Sequence, residues 1–431
     1  MENRFHTGRR LARLVADRTG RPELGHDAEV VARVLPFKVS EHVADALVDW
    51  ERAPDDPLYR LVVPHRDMLA PADFAAVEAA LPDHDRLRRV VTGIRERLAP
   101  DPGGRPAPGP PEAAPGLRQP SPDTLLVLPP QGQTCHSYCG YCFRWPQFTG
   151  EPGPRQAVED PGTMWAHLDR HPGITDVLLT GGDPLVMRAE ALARYLAPLT
   201  GRHRYAHVRT VRIGTKAVSF QPDRFLTAPD ADDLLRLLDG VVRSGRHLAL
   251  LLHVTHPREL EPAPARRALR RLHATGAVLR TEAPVVRHVN DDPAVWARMW
   301  RDQVGLGLVP YSLLVARDTG PRRYYGLPLA RTLSVCAEAR RRAPDLAGTA
   351  RGPVMVTELG ELVVDGIARL PDGPAFALRA LRTRDPALAG TLVHARFDPT
   401  AQGWGDLVPY ADHDRCLIPY RSPAPVPPPG E

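Results

Sequence analysis

Three of the chain's five cysteines lie within eight residues, in the stretch TCHSYCGYCFRW that spans residues 134–145. Cys135, Cys139 and Cys142 have the spacing C-x3-C-x2-C. Thiolates are soft ligands that suit zinc or an iron–sulfur cluster. A structural zinc site takes a fourth protein ligand, and His136 is poorly spaced for that role. The spacing predicts a metal centre, with zinc and an iron–sulfur cluster as alternatives; on a four-iron cluster, three thiolates leave one iron open to another ligand.

Polar residues at the ends of short apolar runs are the other candidates for chemistry. Where such runs are parallel strands, their carboxyl ends meet at one edge of the sheet, and active sites form there. Two consecutive glycines at such an end also let the backbone approach a ligand closely. The candidates are Gly181, Gly182 and Asp183 after VLLT, Lys216 after VRIGT, His253 after LALLL, Glu282 after VLRT, and Asp318 after SLLVAR.

Six such runs alternate with helical patterns from residue 124 onward. They are TLLVLPP, DVLLTGGDP, VRTVRIGT, LALLLHVTHP, VLRTEAPVV and LVPYSLLVA, with stretches such as ADDLLRLLDGVVRSG between them. Strand, helix and strand at this spacing indicate a parallel sheet. Six strands are too few for a closed eight-stranded barrel. We therefore predict an α/β fold with a partial (β/α)6 barrel over residues 124–318.

The remaining chain divides into three parts. Residues 1–98 show apolar residues at helical spacing, which predicts a helical N-terminal region. Residues 99–123 are so rich in proline and glycine that we expect a connector without helix or strand. Residues 319–431 are expected to form a C-terminal extension that covers the barrel, with a helix over LARTLSVCAEARRR and strands in GPVMVTELGELVVDG and LAGTLVHARFDP.

Composition limits the class of protein. The chain has 431 residues, of which 43% are hydrophobic and 25% charged, as in globular proteins. It has no apolar run of about 18 residues and begins with a charged stretch, so we expect no membrane span, no secretory signal and a cytoplasmic location. An odd number of cysteines fits a reducing compartment. The net charge of +5 is scattered rather than clustered, which argues against a nucleic-acid partner.

Lysine is nearly absent. Of 56 basic residues only Lys38 and Lys216 are lysine, so chemistry that needs an amine has two candidates. Lys38 lies in the predicted helical region outside the barrel and is the poorer one. Lys216 follows a predicted strand, where it could form an aldimine, bind a substrate phosphate or carboxylate, or pack its stem on the barrel rim.

The cysteine stretch, with the aromatic Tyr141 before its third cysteine, resembles the signature of the radical S-adenosylmethionine enzymes. LLTGGDP at residues 178–184 is similar to that family's glycine-rich stretch, which meets the methionine amino group. The resemblance implies a 4Fe–4S cluster on the three cysteines and S-adenosylmethionine on its open iron. It also implies reductive cleavage to a 5′-deoxyadenosyl radical. Tyr141, His253 and the turn at residues 181–183 would line the cofactor site.

Within that family the chain is similar to the lysine 2,3-aminomutase group over residues 30–365. CGYCFRWPQFTG resembles CRYCTRRRFAG, and ITDVLLTGGDPL, VRIGTK and VVRHVND resemble IRDVLLTGGDAL, VRIGSR and LLRGVND in the same order. The resemblance implies that Arg144 binds a substrate carboxylate and that Glu282 contacts a ligand. It places Arg317 and Asp318 where the aminomutases use acidic residues to bind lysine's ammonium. LLVARDTGPRRYY is basic instead, which favours a substrate of negative or hydroxyl character.

Three elements of the group's pyridoxal phosphate site are missing. Where the group has PGGGGK this chain has GPVMVTELGELVVDG, where it has RYPDR this chain has PSPDT at residues 120–124, and the arginine of VRIGSR is Lys216. These losses argue against pyridoxal phosphate as a cofactor. Without an imine a 1,2-amino shift has no low-energy path, so a different reaction is expected.

The sequence therefore predicts a radical enzyme that abstracts a hydrogen atom from a small polar, carboxylate- or hydroxyl-bearing substrate. The outcome would be dehydrogenation, epimerisation, elimination or rearrangement, in specialised biosynthesis. The expected partners are that substrate, a reductant such as flavodoxin or ferredoxin, and further copies of the chain. Two alternatives are a pyridoxal phosphate-dependent amino-acid 2,3-aminomutase and a non-catalytic structural metal-binding protein. Cys336, in a predicted helix, is a packing residue or, if it faces the barrel, a hydrogen-atom donor.

Overall fold

The computed structural model describes residues 5–99, 114–151, 156–201 and 204–418. Most of the predicted connector, residues 100–113, lies outside the described residues, as does the proline-rich end of the chain after residue 418. Among the described residues, no helix is both long and apolar enough to cross a bilayer.

The N-terminal region is mainly helical, as the sequence predicts, and carries one small antiparallel ribbon of two strands. Its apolar face forms a core of its own, which also takes in Trp145, Phe220, Tyr324 and Tyr325 from the rest of the chain. The elements are β1 (Phe5–Thr7), α1 (Gly8–Thr19), α2 (Pro22–Val34), β2 (Lys38–Ser40), α3 (Glu41–Ala46), α4 (Pro57–Val62), α5 (Pro71–Ala80) and α6 (His84–Leu98).

All six apolar runs of the predicted barrel are strands, each followed by at least one helix or helical turn. The six strands are β4 to β9, and a further strand, β3, precedes them. In chain order the elements are β3 (Leu117–Ser121), β4 (Thr124–Val127), α7 (Pro161–Arg170), β5 (Asp176–Leu179), α8 (Ala189–Leu196), β6 (Thr210–Thr215), α9 (Ala217–Phe220), α10 (Ala231–Arg243), β7 (His247–His253), α11 (Ala263–His273), β8 (Val278–Val285), α12 (Pro293–Gly305), β9 (Val309–Val315), α13 (Arg322–Tyr325) and α14 (Leu329–Arg342).

Strands β4 to β9 pair in sequential order and every pair is parallel. This confirms the predicted partial (β/α)6 barrel. The helices bury one stripe against the sheet: in α10, for example, the inward residues are Leu234, Leu235, Leu238 and Val241, at helical spacing. Because the strands are parallel, all six carboxyl ends, and the loops after them, lie at one mouth of the barrel.

The predicted connector was too long. Leu117–Ser121 forms β3, which pairs antiparallel with β4 and extends the sheet at its edge. Pro120 lies within this strand. An edge strand tolerates a proline because one of its sides needs no hydrogen-bond donor. The high proline and glycine content of the stretch did not indicate such a strand.

The C-terminal extension continues the barrel sheet. Its strands are β10 (Arg351–Val356), β11 (Gly360–Leu370), β12 (Gly373–Thr383) and β13 (Leu392–Arg396), and β10 pairs parallel with β9. The sheet thereby reaches eleven strands among the described residues, in the order β13 to β3. It curls until β12 contacts β3. There Arg382 Nη2 lies 3.7 Å from Asp123 Oδ1, so the extension bridges the open side of the barrel.

Candidate functional site

The three clustered cysteines lie in the loop that follows β4, here called the cysteine loop (residues 129–149), at the carboxyl mouth of the barrel. The N-terminal region holds this loop by backbone contacts. Tyr138 N donates to Lys38 O and Gly140 N donates to Leu61 O, each at 2.8 Å. A region far away in sequence therefore fixes the conformation of the cysteine loop.

The cysteine thiols are all free and half-buried. Burial raises the pKa of all three, that of Cys139 to about 12, and the pKa of Cys135 rises further through Asp183 and then the other two thiols. Such thiols stay protonated until a metal replaces the protons. Among the described residues no three ligating side chains already stand in metal-binding geometry. The three thiols nevertheless lie in one loop, close enough to affect one another's pKa. They match an iron–sulfur cluster that has three cysteine ligands and one open iron.

His136, the fourth ligand that zinc would need, does not join the thiols. Burial lowers the pKa of His136 to about 3, and the charges that add to this effect are those of Lys38 and Arg224. None of the three thiols is among these influences. The buried Nδ1 of His136 has no hydrogen-bond partner among the described residues. The donor set therefore fits an iron–sulfur cluster better than a closed zinc site.

The turn at residues 181–183 packs directly on the cysteine loop. A Cβ at Gly181, where φ is +145°, would collide with the side chain of Gln133, and one at Gly182 would collide with the backbone of Thr134. Gly182 N donates to Gly132 O at 2.9 Å. Close packing of two protein segments therefore requires both glycines, whatever ligand they also meet.

Asp183 is only 2% exposed, and its carboxylate is occupied by protein donors. Oδ1 accepts a hydrogen bond from Leu185 N, and Oδ2 accepts from Thr215 Oγ1 and Lys216 N, all at 2.9 Å. These contacts tie the loop after β5 to the end of β6. A contact of Asp183 with S-adenosylmethionine stays a prediction, since its contacts within the protein already account for its burial.

Lys216 lies in a buried network rather than free in the barrel. Its Nζ donates to Glu259 Oε2 at 2.6 Å, His253 O at 3.0 Å and Thr255 Oγ1 at 3.2 Å. The side chains of Lys216 and Glu259 are 9% and 0% exposed. An ammonium has three donors, and all three find acceptors here. The ring of Phe220 lies 4.5 Å from Nζ and completes the enclosure.

Tyr141 and His253 meet above this network. Tyr141 Oη lies 2.8 Å from Thr255 Oγ1 and 3.3 Å from His253 Nδ1. Burial, followed by the charge of Lys216, lowers the pKa of His253 to about 3, so the imidazole is neutral. The structure thus brings together two residues that the sequence placed at the cofactor site. His256 caps the turn after β7 by accepting from Arg258 N at 3.3 Å.

Arg144 and Arg317 converge on one aromatic ring. The guanidinium carbon of Arg144 lies 4.9 Å from the centroid of Phe143, and that of Arg317 lies 4.2 Å from the same centroid. Asp318, in contrast, is 56% exposed and lies 2.7 Å from the guanidinium of Arg322. A catalytic role for Asp318 stays a prediction, and its ion pair favours a structural role at the rim.

A small cavity, with room for about one water molecule, lies between the cysteine loop and the carboxyl ends of β8 and β9. Its walls include Tyr141, Val285, Arg317, Tyr325 and Gln402. Arg317 and Tyr141 therefore border a common space beside the cysteine loop.

Glu282 stands in register with His253 on the neighbouring strand. Burial and then the charge of Glu361 raise the pKa of Glu282 to about 7, against smaller opposing effects of Arg351 and Arg212. No hydrogen bond or ion pair engages its carboxyl group among the described residues. A half-buried carboxyl group with such a pKa can exchange a proton near neutral pH.

Two groups that the C-terminal extension brings to the barrel were not predicted from the sequence. Arg351 Nη2 lies 3.0 Å from Glu361 Oε2, and the Arg351 guanidinium packs 4.4 Å from the centroid of Tyr311. Arg280 approaches the same ring at 5.1 Å. Only the pairing of β10 with β9 and β11 brings Arg351 and Glu361 near Glu282, and no local pattern reveals that pairing.

The two remaining cysteines are separate from the site. Cys336 is buried in the core between α14 and the sheet, where its Sγ donates to Gly352 O at 3.4 Å. It packs against the outside of the barrel, which fits the packing alternative rather than hydrogen-atom donation. Cys416 is exposed near the end of the described chain.

Comparison with known proteins gives one sequence relative over nearly the full length of the chain and another over about half of it. A putative L-lysine 2,3-aminomutase of Aquifex aeolicus is 27% identical over 92% of this chain and 92% of its own. L-lysine 2,3-aminomutase of Escherichia coli is 26% identical over 56% of this chain and 66% of its own.

Structural likeness is weaker. A radical SAM methyltransferase from Sphaerobacter thermophilus is 18% identical, covers 55% of this chain and 68% of its own, and gives a TM-score of 0.33, which adds no argument. No family model matches the chain.

Proposed function

We propose a reaction for this chain, which by these similarities is a lysine 2,3-aminomutase-like enzyme of the radical S-adenosylmethionine family. The enzyme removes a hydrogen atom from a small polar substrate that carries a carboxylate or hydroxyl group, and it does so without pyridoxal phosphate. Cys135, Cys139 and Cys142 hold a 4Fe–4S cluster, and a small reductant protein such as flavodoxin or ferredoxin supplies its electron.

One observation carries this proposal. The three free thiols lie in one loop at the carboxyl mouth of six parallel strands, beside a small cavity lined by Arg317. Active sites of such sheets form at this mouth. When bound, the cluster and S-adenosylmethionine together supply the radical that begins the reaction.

The chain's own residues position the substrate and exclude water. Arg144, two residues after the last cluster ligand, offers a guanidinium fork that matches a carboxylate. Tyr141 lines the cavity from the cysteine loop side, and the neutral His253 contacts the hydroxyl of Tyr141. Glu282 supplies a half-buried carboxyl group that can hold or release a proton without a paired cation. The N-terminal region closes the loop from outside through its backbone contacts.

The contacts of Lys216 support the exclusion of pyridoxal phosphate. An amine that binds this cofactor covalently must be neutral and free, whereas Lys216 Nζ forms an ion pair with the fully buried Glu259 and contacts two further acceptors. Lys38 packs between the rings of Phe5 and Tyr138 in the N-terminal region, beside the cysteine loop. The residues present therefore do not fit a pyridoxal phosphate site, and we derive no step through that group.

The proposal is tested with anaerobically reconstituted protein. Wild type is expected to bind about four irons per chain and, on reduction with dithionite, to convert S-adenosylmethionine to 5′-deoxyadenosine and methionine. Cys139→Ala should lose both properties. Cys416→Ala, which removes an exposed cysteine, is the matched control and should retain both. A colourless wild-type protein that binds zinc and cleaves no S-adenosylmethionine would identify a structural metal-binding protein instead.

The second candidate is an amino-acid 2,3-aminomutase, and the names of the relatives favour it. It requires pyridoxal phosphate and a migrating amino group. Incubation of the reduced enzyme with lysine and pyridoxal phosphate separates the two functions, because the second predicts a β-amino acid product and the first predicts none.

A further inference from the structure

Three arginines beside the cysteine loop have no acidic partner among the described residues: Arg118 in β3, Arg144 in the loop and Arg317 after β9. Arg246 is buried and donates to backbone carbonyl groups such as Val208 O at 3.0 Å. Several other arginines of the barrel are paired with carboxylates, as in Arg212 with Asp176 at 2.8 Å. The other examples are Arg224 with Asp230, Arg351 with Glu361 and Arg322 with Asp318. The three unpaired guanidiniums therefore concentrate positive charge at one place.

Arg144 and Arg317 are the two members of this group that share an aromatic neighbour, Phe143. Both guanidiniums pack within 5 Å of the Phe143 centroid, at 4.9 and 4.2 Å, and Arg317 lines the cavity directly. Burial, and then the charge of Arg144, lower the pKa of Arg317 to about 10, which still leaves it charged at neutral pH. The two cations therefore repel each other across a partly dry site. A ligand that neutralises them would remove this cost.

We propose that Arg144 and Arg317 form a clamp for a doubly charged oxyanion group of the substrate, either one phosphoryl group or two carboxylates. The proposal rests on the proposed function and narrows its substrate class. The guanidinium of Arg144 would bind one pair of anionic oxygens of the substrate, and the guanidinium of Arg317 would bind a second pair. The ring of Phe143 would keep the two guanidinium groups apart. Arg118, behind Arg144, would add positive potential without touching the ligand.

A doubly charged ligand fits better than a single carboxylate. One carboxylate occupies one guanidinium fork and would leave the second cation unpaired beside the first. Asp318 does not neutralise it, because its carboxylate is paired with Arg322. Arg322 is itself held by Asp318 and Asp406, so it takes no part in the clamp.

Binding of simple anions to the reconstituted holoenzyme with S-adenosylmethionine tests the clamp. Calorimetric titrations with inorganic phosphate, succinate and acetate are compared for wild type, Arg317→Gln and Arg323→Gln. Arg323 is an exposed arginine of the same segment and serves as the charge-matched control. We expect phosphate or succinate to bind wild type more tightly than acetate, Arg317→Gln to weaken that binding about tenfold or more, and Arg323→Gln to leave it unchanged.

Two outcomes would overturn the clamp. Acetate that binds as tightly as both doubly charged anions would show a single-carboxylate site, and equal affinities of the Arg317→Gln and Arg323→Gln proteins would show that Arg317 touches no anion. Arg317→Lys keeps the charge and loses the fork. Its affinity should fall between those of wild type and Arg317→Gln, which separates a lost contact from a misfolded cavity. Tighter binding of phosphate than of succinate identifies a phosphoryl group, and the reverse identifies two carboxylates.

Cleavage of S-adenosylmethionine, measured on the same protein batches, separates the two levels of the account. If wild type forms 5′-deoxyadenosine and binds none of the anions, the clamp is wrong and the proposed function stands. If wild type forms no 5′-deoxyadenosine, the proposed function itself fails.

Discussion

At the scale of single residues, the site is governed by which buried charges the protein neutralises and which it leaves open. Lys216 and Glu259 neutralise each other in a pocket that excludes water. Glu282 lacks a partner and holds its proton to higher pH, while Arg144 and Arg317 remain unpaired cations. Groups left open in this way are the ones available to a ligand.

Removal of the Lys216 amine should destabilise the fold strongly. Lys216→Met leaves the carboxylate of Glu259, which is 0% exposed, without its cation. Loss of one partner from a buried ion pair costs about 3–5 kcal/mol. Chemical denaturation of the variant should show a loss of this size. The double variant Lys216→Met/Glu259→Leu should recover much of it, and a single variant as stable as wild type would contradict the buried network.

Glu282 makes stability depend on pH. Its pKa is about 7 in the folded protein and near 4.5 when exposed, so between these values the unfolded chain binds fewer protons than the folded chain. Stability should therefore fall as pH rises from about 5 to 7, by about 2 kcal/mol from this residue alone.

The variant Glu282→Gln cannot ionise and should lose this part of the pH dependence. Denaturation midpoints at pH 5 and pH 7 measure it. Glu190→Gln, which removes an exposed carboxylate, is the control and should follow wild type. A Glu282→Gln protein whose stability changes with pH as wild type does would contradict the raised pKa.

At the scale of elements, the cysteine loop is a product of two distant parts of the chain. The N-terminal region supplies Lys38 O and Leu61 O as acceptors, and α13 supplies the buried side chain of Tyr325, whose hydroxyl donates to Arg60 O at 2.5 Å. The loop has no regular secondary structure over the cysteines, so these contacts must define its shape.

A methyl group at Gly140 should disturb the loop. Its Cβ would collide with the hydroxyl and ring of Tyr325. Overpacking of a buried contact costs about 1–3 kcal/mol, and the displaced thiols should bind less iron. Gly140→Ala is therefore expected to reconstitute with a lower iron and sulfide content than wild type. Gly173→Ala, where the added Cβ meets no atom within 4 Å, is the control. Full cluster content in Gly140→Ala would show that the loop is not held in this way.

The sequence predicts local elements well and their long-range partners poorly. The helix predicted over LARTLSVCAEARRR is α14, and the six barrel strands follow their apolar runs. The cysteine spacing also identifies the centre of the site. In contrast, β12 was missed, and nothing local indicates that Glu259, 43 residues after Lys216, would be its counterion. Such pairings arise only when the sheet and the loops at its mouth are assembled.

At the scale of the whole molecule, one continuous sheet carries both the barrel and the C-terminal extension. β10 pairs with β9, and β12 returns to contact β3 at the opposite edge. The extension thus supplies Arg351 and Glu361 to the barrel and covers the edge of β9. Its removal would affect the site and the fold together.

A chain that ends at Arg342 lacks β10 to β13 and tests this arrangement. It exposes the edge of β9 and the apolar residues that pack against the extension, and an open edge beside apolar surface promotes aggregation. We expect little soluble protein, judged by the soluble yield and by size-exclusion chromatography. A soluble, monodisperse product that still binds the cluster would show that the barrel is independent of the extension.

The central claim is radical chemistry without pyridoxal phosphate, and borohydride trapping tests it most directly. The reconstituted enzyme is incubated with pyridoxal phosphate, reduced with borohydride and digested, and any modified lysine is mapped by mass spectrometry while a parallel sample is assayed for 5′-deoxyadenosine. The account predicts no label on Lys216 and cleavage of S-adenosylmethionine with or without pyridoxal phosphate. Stoichiometric labelling of Lys216, with turnover that requires pyridoxal phosphate, would contradict the account and identify an amino-acid 2,3-aminomutase.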